Sequence, residues 1–162
     1  KPSTFLKEMV NEHENLKNRD KKIAATVGVI KVKDVERWGI VKLSEEKIGN
    51  CFKVLDMVEK PKKEEAPSNL AIAGCYIFEP VIFEAIEETL KKPPGVKGEY
   101  QITDSMRILL EKGYSIYAIL LDVAHYDLGT LEDYISTFVE LALKHERFGP
   151  IIKEKSKEKN II

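Results

Sequence analysis

Cysteine is scarce in this sequence. Cys51 and Cys75 are the only two, they lie far apart, and each sits inside an apolar stretch. They read as reduced, buried thiols rather than as a disulfide or a metal pair. Histidine is equally sparse: His13, His125 and His145 have no cysteine at metal-ligand spacing, so the common zinc frames fall away. His13 and His145 occupy polar positions on helical segments and are expected to be exposed. A Gly-x-Ser-x-Gly elbow is absent, and with it the usual hydrolase nucleophile. No apolar run approaches the roughly 20 residues of a membrane helix. No secretory leader is visible, so a cytoplasmic location is expected. Neither sign of charge prevails: 26 basic residues meet 27 acidic ones, a formal net charge of −1. That balance argues against nucleic acid or an anionic membrane as the partner. The chain also has no glycine-rich turn joining a strand to a helix near its start, the usual cradle for nucleotide phosphates.

What remains is a chain of 162 residues, 43% hydrophobic, enough to bury a substantial core. Residues 1–149 are expected to form one α/β domain, and 150–162 a charged tail whose run Lys153–Lys159 reads as a solvated helix end or a frayed terminus. The periodicity predicts a helix over Thr4–Lys17, with Ser3 or Thr4 as its cap. Strands are predicted at Ile23–Val32, within Glu36–Glu46 after a turn, and at Phe52–Val58. "NLAIAGCYIF", Asn69–Phe78, is nearly all apolar and reads as a strand buried on both faces. Pro80 opens a helix that runs to Leu90. Lys91–Glu99 is a loop, and Thr103 caps a helix that Gly113 stops. Ser115–Leu121 is a strand. A last helix starts at Thr130 or Leu131 and reaches His145. Strands interleaved with helices imply an α/β layer fold with a mixed sheet.

Polar residues at the ends of apolar runs are where α/β proteins place ligands. Here they are Gly39, Glu59-Lys60-Pro61, Asn69, Glu99 and Asp127-Leu128-Gly129-Thr130. Each has a plain structural reading. Gly39 eases a turn, Glu59 and Lys60 form a surface ion pair, Thr103 and Asp104 start a helix, and Asp127 caps the final one.

Taken in order, Glu59-Lys60-Pro61, "APSNLAIAGCYIF", "GEYQITD" and "HYDLGT" resemble the sugar-1-phosphate nucleotidyltransferases. The UTP–glucose-1-phosphate uridylyltransferase branch is the closest likeness, extending from about Phe5 to Gly149. The implied fold is the mixed-sheet, Rossmann-like nucleotidyltransferase fold. The family's glycine-rich nucleotide segment and early metal-binding aspartate have no counterpart here. The chain therefore resembles the C-terminal, sugar-phosphate half of such an enzyme, lacking the N-terminal nucleotide-binding half and expected to be inactive alone.

The resemblance implies glucose-1-phosphate or a related sugar phosphate as ligand, with UTP or dTTP bound through the other half. It implies that Lys60 holds the sugar phosphate, Glu59 accepts from sugar hydroxyls, and Gly39, Asn69 and Glu99 touch the sugar. Asp127 would be one of two carboxylates on a Mg2+ ion. Trp38 stands where the family often has tyrosine, and Cys75 where a larger polar residue is common. A non-catalytic subunit that binds sugar phosphate or pairs with a full-length relative is the alternative. In either case a homo-oligomer is expected, through an unpaired edge strand and uncovered helix faces.

Overall fold

The computed structural model describes residues 4–95, 98–122 and 125–159. They form two compact units that divide after Asp122. The first holds helix α1 (Phe5–Arg19), strands β1 (Ile23–Lys31), β2 (Gly39–Ile48), β3 (Cys51–Glu59) and β4 (Leu70–Phe78), helices α2 (Ile82–Leu90) and α3 (Ile102–Glu111), and strand β5 (Ser115–Leu120). The second holds helices α4 (Leu131–Lys144) and α5 (Phe148–Glu158).

The sheet is mixed, as expected. β1 runs parallel to β5 and antiparallel to β4; β3 is antiparallel to both β5 and β2. Ile40 of β2 pairs with Ala71 of β4 and closes the ring in the order β1-β4-β2-β3-β5. The unpaired edge strand foreseen from the sequence is therefore not found in this sheet. Closure gives each strand two partners, which removes the edge as a template for association.

Burial is divided between two apolar clusters. Met9 and Leu16 of α1 pack with Ile30, Ile40, Cys51 and Ile119 in one. Met106 and Leu109 of α3 pack with Val27, Val41, Met57 and Ile116 in the other. β1 lies between them and is buried from Ile23 to Ile30. That is the burial expected of Asn69–Phe78, which that strand does not keep along its whole length. β4 is only half-buried from Ala73 onward because it bulges there. The pairing of Val27 with Tyr76 and of Val29 with Ile72 sets Ala73, Gly74 and Cys75 opposite Gly28 alone. Gly74 takes φ +70°, a conformation glycine reaches without a Cβ penalty. Cys75 is accordingly half-buried rather than buried, while Cys51 is buried; both are free thiols. Burial pushes the Cys51 thiol up to about 12, which keeps it protonated and unreactive.

His13 is a second correction. It is buried, with Nδ1 2.8 Å from Thr26 Oγ1 and Nε2 3.0 Å from Glu79 Oε1. It faces the sheet on the same side of α1 as Met9 and Leu16, where a polar ring is tolerated because both nitrogens have partners. Lys17 Nζ completes the network 2.7 Å from the same Glu79 oxygen. Thr4 stands at the N-cap of α1 without a side-chain cap bond. Ser3 lies outside the described residues.

In the second unit, Thr130 caps α4: its hydroxyl accepts the Asp133 N–H and donates to the Asp133 carboxylate. α5 occupies most of the segment expected to be a tail. Pro150 does not stop it, because Pro150 is its third residue, where an N–H would lack an intrahelical partner in any case. His145 Nδ1 accepts the Arg147 N–H just ahead of this helix. Phe138, Leu141, Phe148 and Ile151 line an apolar groove between α4 and α5. Among the described residues no helix is long and apolar enough to cross a membrane.

The Glu79 network carries a pH dependence. Its hydrogen bonds to Lys17 and then His13 hold the Glu79 carboxyl below its ordinary value of 4.5. A carboxyl depressed by folding adds stability above the unfolded value and loses it as pH falls through the folded one. Glu79→Gln should therefore melt below the parent at pH 7, and the gap should narrow as pH falls below the ordinary carboxyl value of 4.5. Melting curves with a gap as wide at pH 3 as at pH 7 would rule this linkage out.

Candidate functional site

The site begins with strand register. Gly39, first residue of β2, pairs with Glu59, last residue of β3. The pairing continues one step further, with the Lys60 N–H donating to the Trp38 carbonyl at 2.9 Å. Lys60 then leaves the strand with φ +45°, a left-handed conformation costing a non-glycine residue roughly 1–2 kcal/mol. Pro61, buried behind it, fixes the exit of the chain. The Glu-Lys-Pro triplet is thus a sharp corner that turns the two side chains out of the ladder together.

Glu59 keeps 12% of its side-chain surface and Lys60 23%. A carboxylate this withdrawn from water needs a donor. Thr103 supplies it: Thr103 Oγ1 donates to Glu59 Oε2 at 2.7 Å. From the sequence, this hydroxyl is expected to cap α3. Instead Gln101 precedes the helix at the cap position, and the Thr103 side chain is buried against Glu59. Gly39 is needed for space, since a Cβ there would lie 2.9 Å from Glu59 Oε2 and 3.0 Å from Thr103 Oγ1. Tyr76 shares the neighbourhood: burial, reinforced by the Glu59 charge, raises its phenol above the ordinary range.

The Lys60 ammonium stands 3.8 Å from Glu59 Oε1 and 3.9 Å from Glu99 Oε2. Both are ion pairs too long to be hydrogen bonds. Among the described residues, the ammonium's three N–H donors stay available while the charge is held in place, which suits an anionic ligand. Glu99 is the outer wall; its side chain is 62% exposed and accepts from Gln101 Nε2 at 2.9 Å.

The structure thus draws together Gly39, Glu59, Lys60 and Glu99 of the residues expected, and adds Thr103. Asn69 is not among them. It is exposed just before β4, and its carbonyl accepts the Val32 N–H. Because Ile40 pairs with Ala71 in antiparallel register, Asn69 and Gly39 run off to opposite sides of that pair. Asp127 belongs to the second unit. It does not cap α4, a task that falls to Thr130; Asp127 Oδ1 accepts the Gly129 N–H at 3.0 Å and tightens the turn ahead of the helix. Among the described residues, no three His, Cys, Asp or Glu side chains converge as a metal site would require.

The family described as nucleotidyl transferase has a sequence profile that matches residues 3–144. The chain belongs to that family. It is similar to UTP–glucose-1-phosphate uridylyltransferases of Haemophilus ducreyi, 39% identical over 137 residues, which are 81% of this chain and 45% of that protein, and of Streptococcus pyogenes, 33% identical over 141 residues, 86% and 44%. Among solved structures, UDP-glucose pyrophosphorylase complexed with UDP-glucose superposes with a TM-score of 0.70 at 32% identity, covering 85% of this chain and 50% of that one. This nucleotidyl transferase chain spans about half the length of the relatives it matches. The mixed-sheet α/β fold expected from the resemblance is the fold found.

Proposed function

We propose that this chain forms the sugar-phosphate side of a UTP–glucose-1-phosphate uridylyltransferase. One observation carries the reading: a sheltered carboxylate, fixed by Thr103, stands beside an ammonium whose donors are uncommitted. Such a pair offers an acceptor for hydroxyls and a cation for a phosphate at neighbouring points. Glucose-1-phosphate presents those groups in that order. The match to uridylyltransferases over most of this chain supports the same reading.

In the reaction, a phosphate oxygen of glucose-1-phosphate attacks the α-phosphorus of UTP. The bond to the β,γ-unit breaks, and pyrophosphate leaves with its electron pair. Positioning and charge neutralisation make up the protein's part. Lys60 holds the attacking phosphate and offsets its charge. Glu59 fixes the sugar by its hydroxyls, with Glu99 at the rim, and Gly39 lets the ligand approach the backbone. UTP, or dTTP in its place, is bound through the half that the relatives have beyond this match. Mg2+ supplies charge neutralisation on the phosphates when bound. Asp127 would offer it one carboxylate; the described residues do not make up a full site, and the other protein ligands would belong to the nucleotide half.

Lys60→Gly tests the phosphate anchor without confusing it with folding. It removes the ammonium but suits the left-handed backbone, so its urea midpoint should equal or exceed the parent's. Its affinity for glucose-1-phosphate should fall by roughly ten- to a hundred-fold, the worth of a charge-assisted bond. Glu59→Gln should fall similarly. Unchanged calorimetric affinity in Lys60→Gly would overturn the assignment.

Asp127→Asn tests the metal role. Joined to the nucleotide half of a relative, in cis or as a separate polypeptide, the chain should form UDP-glucose, and Asp127→Asn should abolish it. Asn can keep the turn at Gly129 but lacks the charge. Full turnover with an unaltered Mg2+ requirement would leave Asp127 a turn residue only.

A further inference from the structure

A carboxylate at the end of a glutamate side chain swings in a broad, two-fold torsional well. It binds hydroxyls selectively only if its plane is fixed before the ligand arrives. Glu59 has one strong donor, the Thr103 hydroxyl at 2.7 Å. Thr103 is 3% exposed and belongs to the first turn of α3, so helix packing sets where its hydroxyl points. The bond engages Oε2 and leaves Oε1 toward the Lys60 ammonium at 3.8 Å. Gly39 makes the arrangement possible, because a side chain there would displace one partner or the other. Three elements (β2, β3 and α3) thus converge on one carboxylate orientation.

We infer that Thr103 is a positioning residue for sugar recognition, fixing the Glu59 carboxylate so that Oε1 and Lys60 Nζ face the ligand together. The inference rests on the sugar-phosphate reading and goes beyond it. Thr103 acts on the hydroxyl half of the ligand through Glu59. It has no part in the phosphate half, which Lys60 holds. A threonine that merely filled the core would show no such division.

The experiment uses the full chain with two probes, glucose-1-phosphate and inorganic phosphate, titrated by NMR chemical shifts. Thr103→Val keeps the shape and removes the donor, while Thr103→Ser keeps the donor. Thr103→Val should weaken glucose-1-phosphate by about ten-fold, leave inorganic phosphate unchanged, and leave Thr103→Ser close to the parent. Gly39→Ala should show the same selective loss, because it disturbs the same pair from the other side. Glucose-1-phosphate bound equally by Thr103→Val and the parent would overturn the inference and spare the sugar-phosphate reading. Equal loss of both probes would reduce Thr103 to a core residue. A parent that binds neither probe would overturn both.

Discussion

The pairing of Gly39 with Glu59 across β2 and β3 is the constraint on which the site depends. It brings a residue without a side chain against a carboxylate that needs room. It also puts Lys60 just past the end of the ladder, where the chain can turn into a left-handed corner. A slip of one residue would send Glu59 to the opposite face of the sheet. That face packs other partners, and the carboxylate would lose Thr103 and its place beside Lys60. The rest of the first unit can be seen as holding this register. The closed ring of strands leaves no free end to slide, and buried residues from both clusters, Ile40 and Met57 among them, flank the pair.

The polar network at His13 does comparable work at a distance from the site. A histidine inside a hydrophobic interface is costly unless both nitrogens are satisfied. Thr26 and Glu79 satisfy them, and Lys17 then offsets the charge of Glu79. The network ties α1 to β1 and to the residue that follows β4. It therefore braces the C-terminal end of β4.

Much of this was legible in the sequence, and the failures have common physical roots. The strands and the first four helices were found within a few residues, because hydrophobic periodicity and turn residues report local structure directly. Glu59, Lys60 and Gly39 were identifiable at strand ends. Thr103 was misread as a cap because a threonine at a helix start looks the same whether its hydroxyl turns to the backbone or to a carboxylate 44 positions earlier in the chain. The same limit explains His13, whose polar neighbours in sequence hid partners contributed by other elements. β4 looked buried on both faces because its run is nearly all apolar. The bulge opposite Gly28 opens its second half, and single-strand composition does not report a bulge. α5 was read only as a helix end or frayed terminus within the tail, because Gly149-Pro150 is a stop signal after a helix and an acceptable first turn within one. Asn69, placed with the site from its resemblance to a family motif, lies just before β4, where its carbonyl accepts the Val32 N–H.

The central claim is that Glu59 and Lys60 read one ligand together, carboxylate to hydroxyls and ammonium to phosphate. A crystal structure of this chain with glucose-1-phosphate tests it most directly. The account predicts the phosphate within hydrogen-bonding distance of Lys60 Nζ and a sugar hydroxyl donating to Glu59, with the Thr103 bond retained. A ligand seated elsewhere, or one whose phosphate turns away from Lys60, would contradict it.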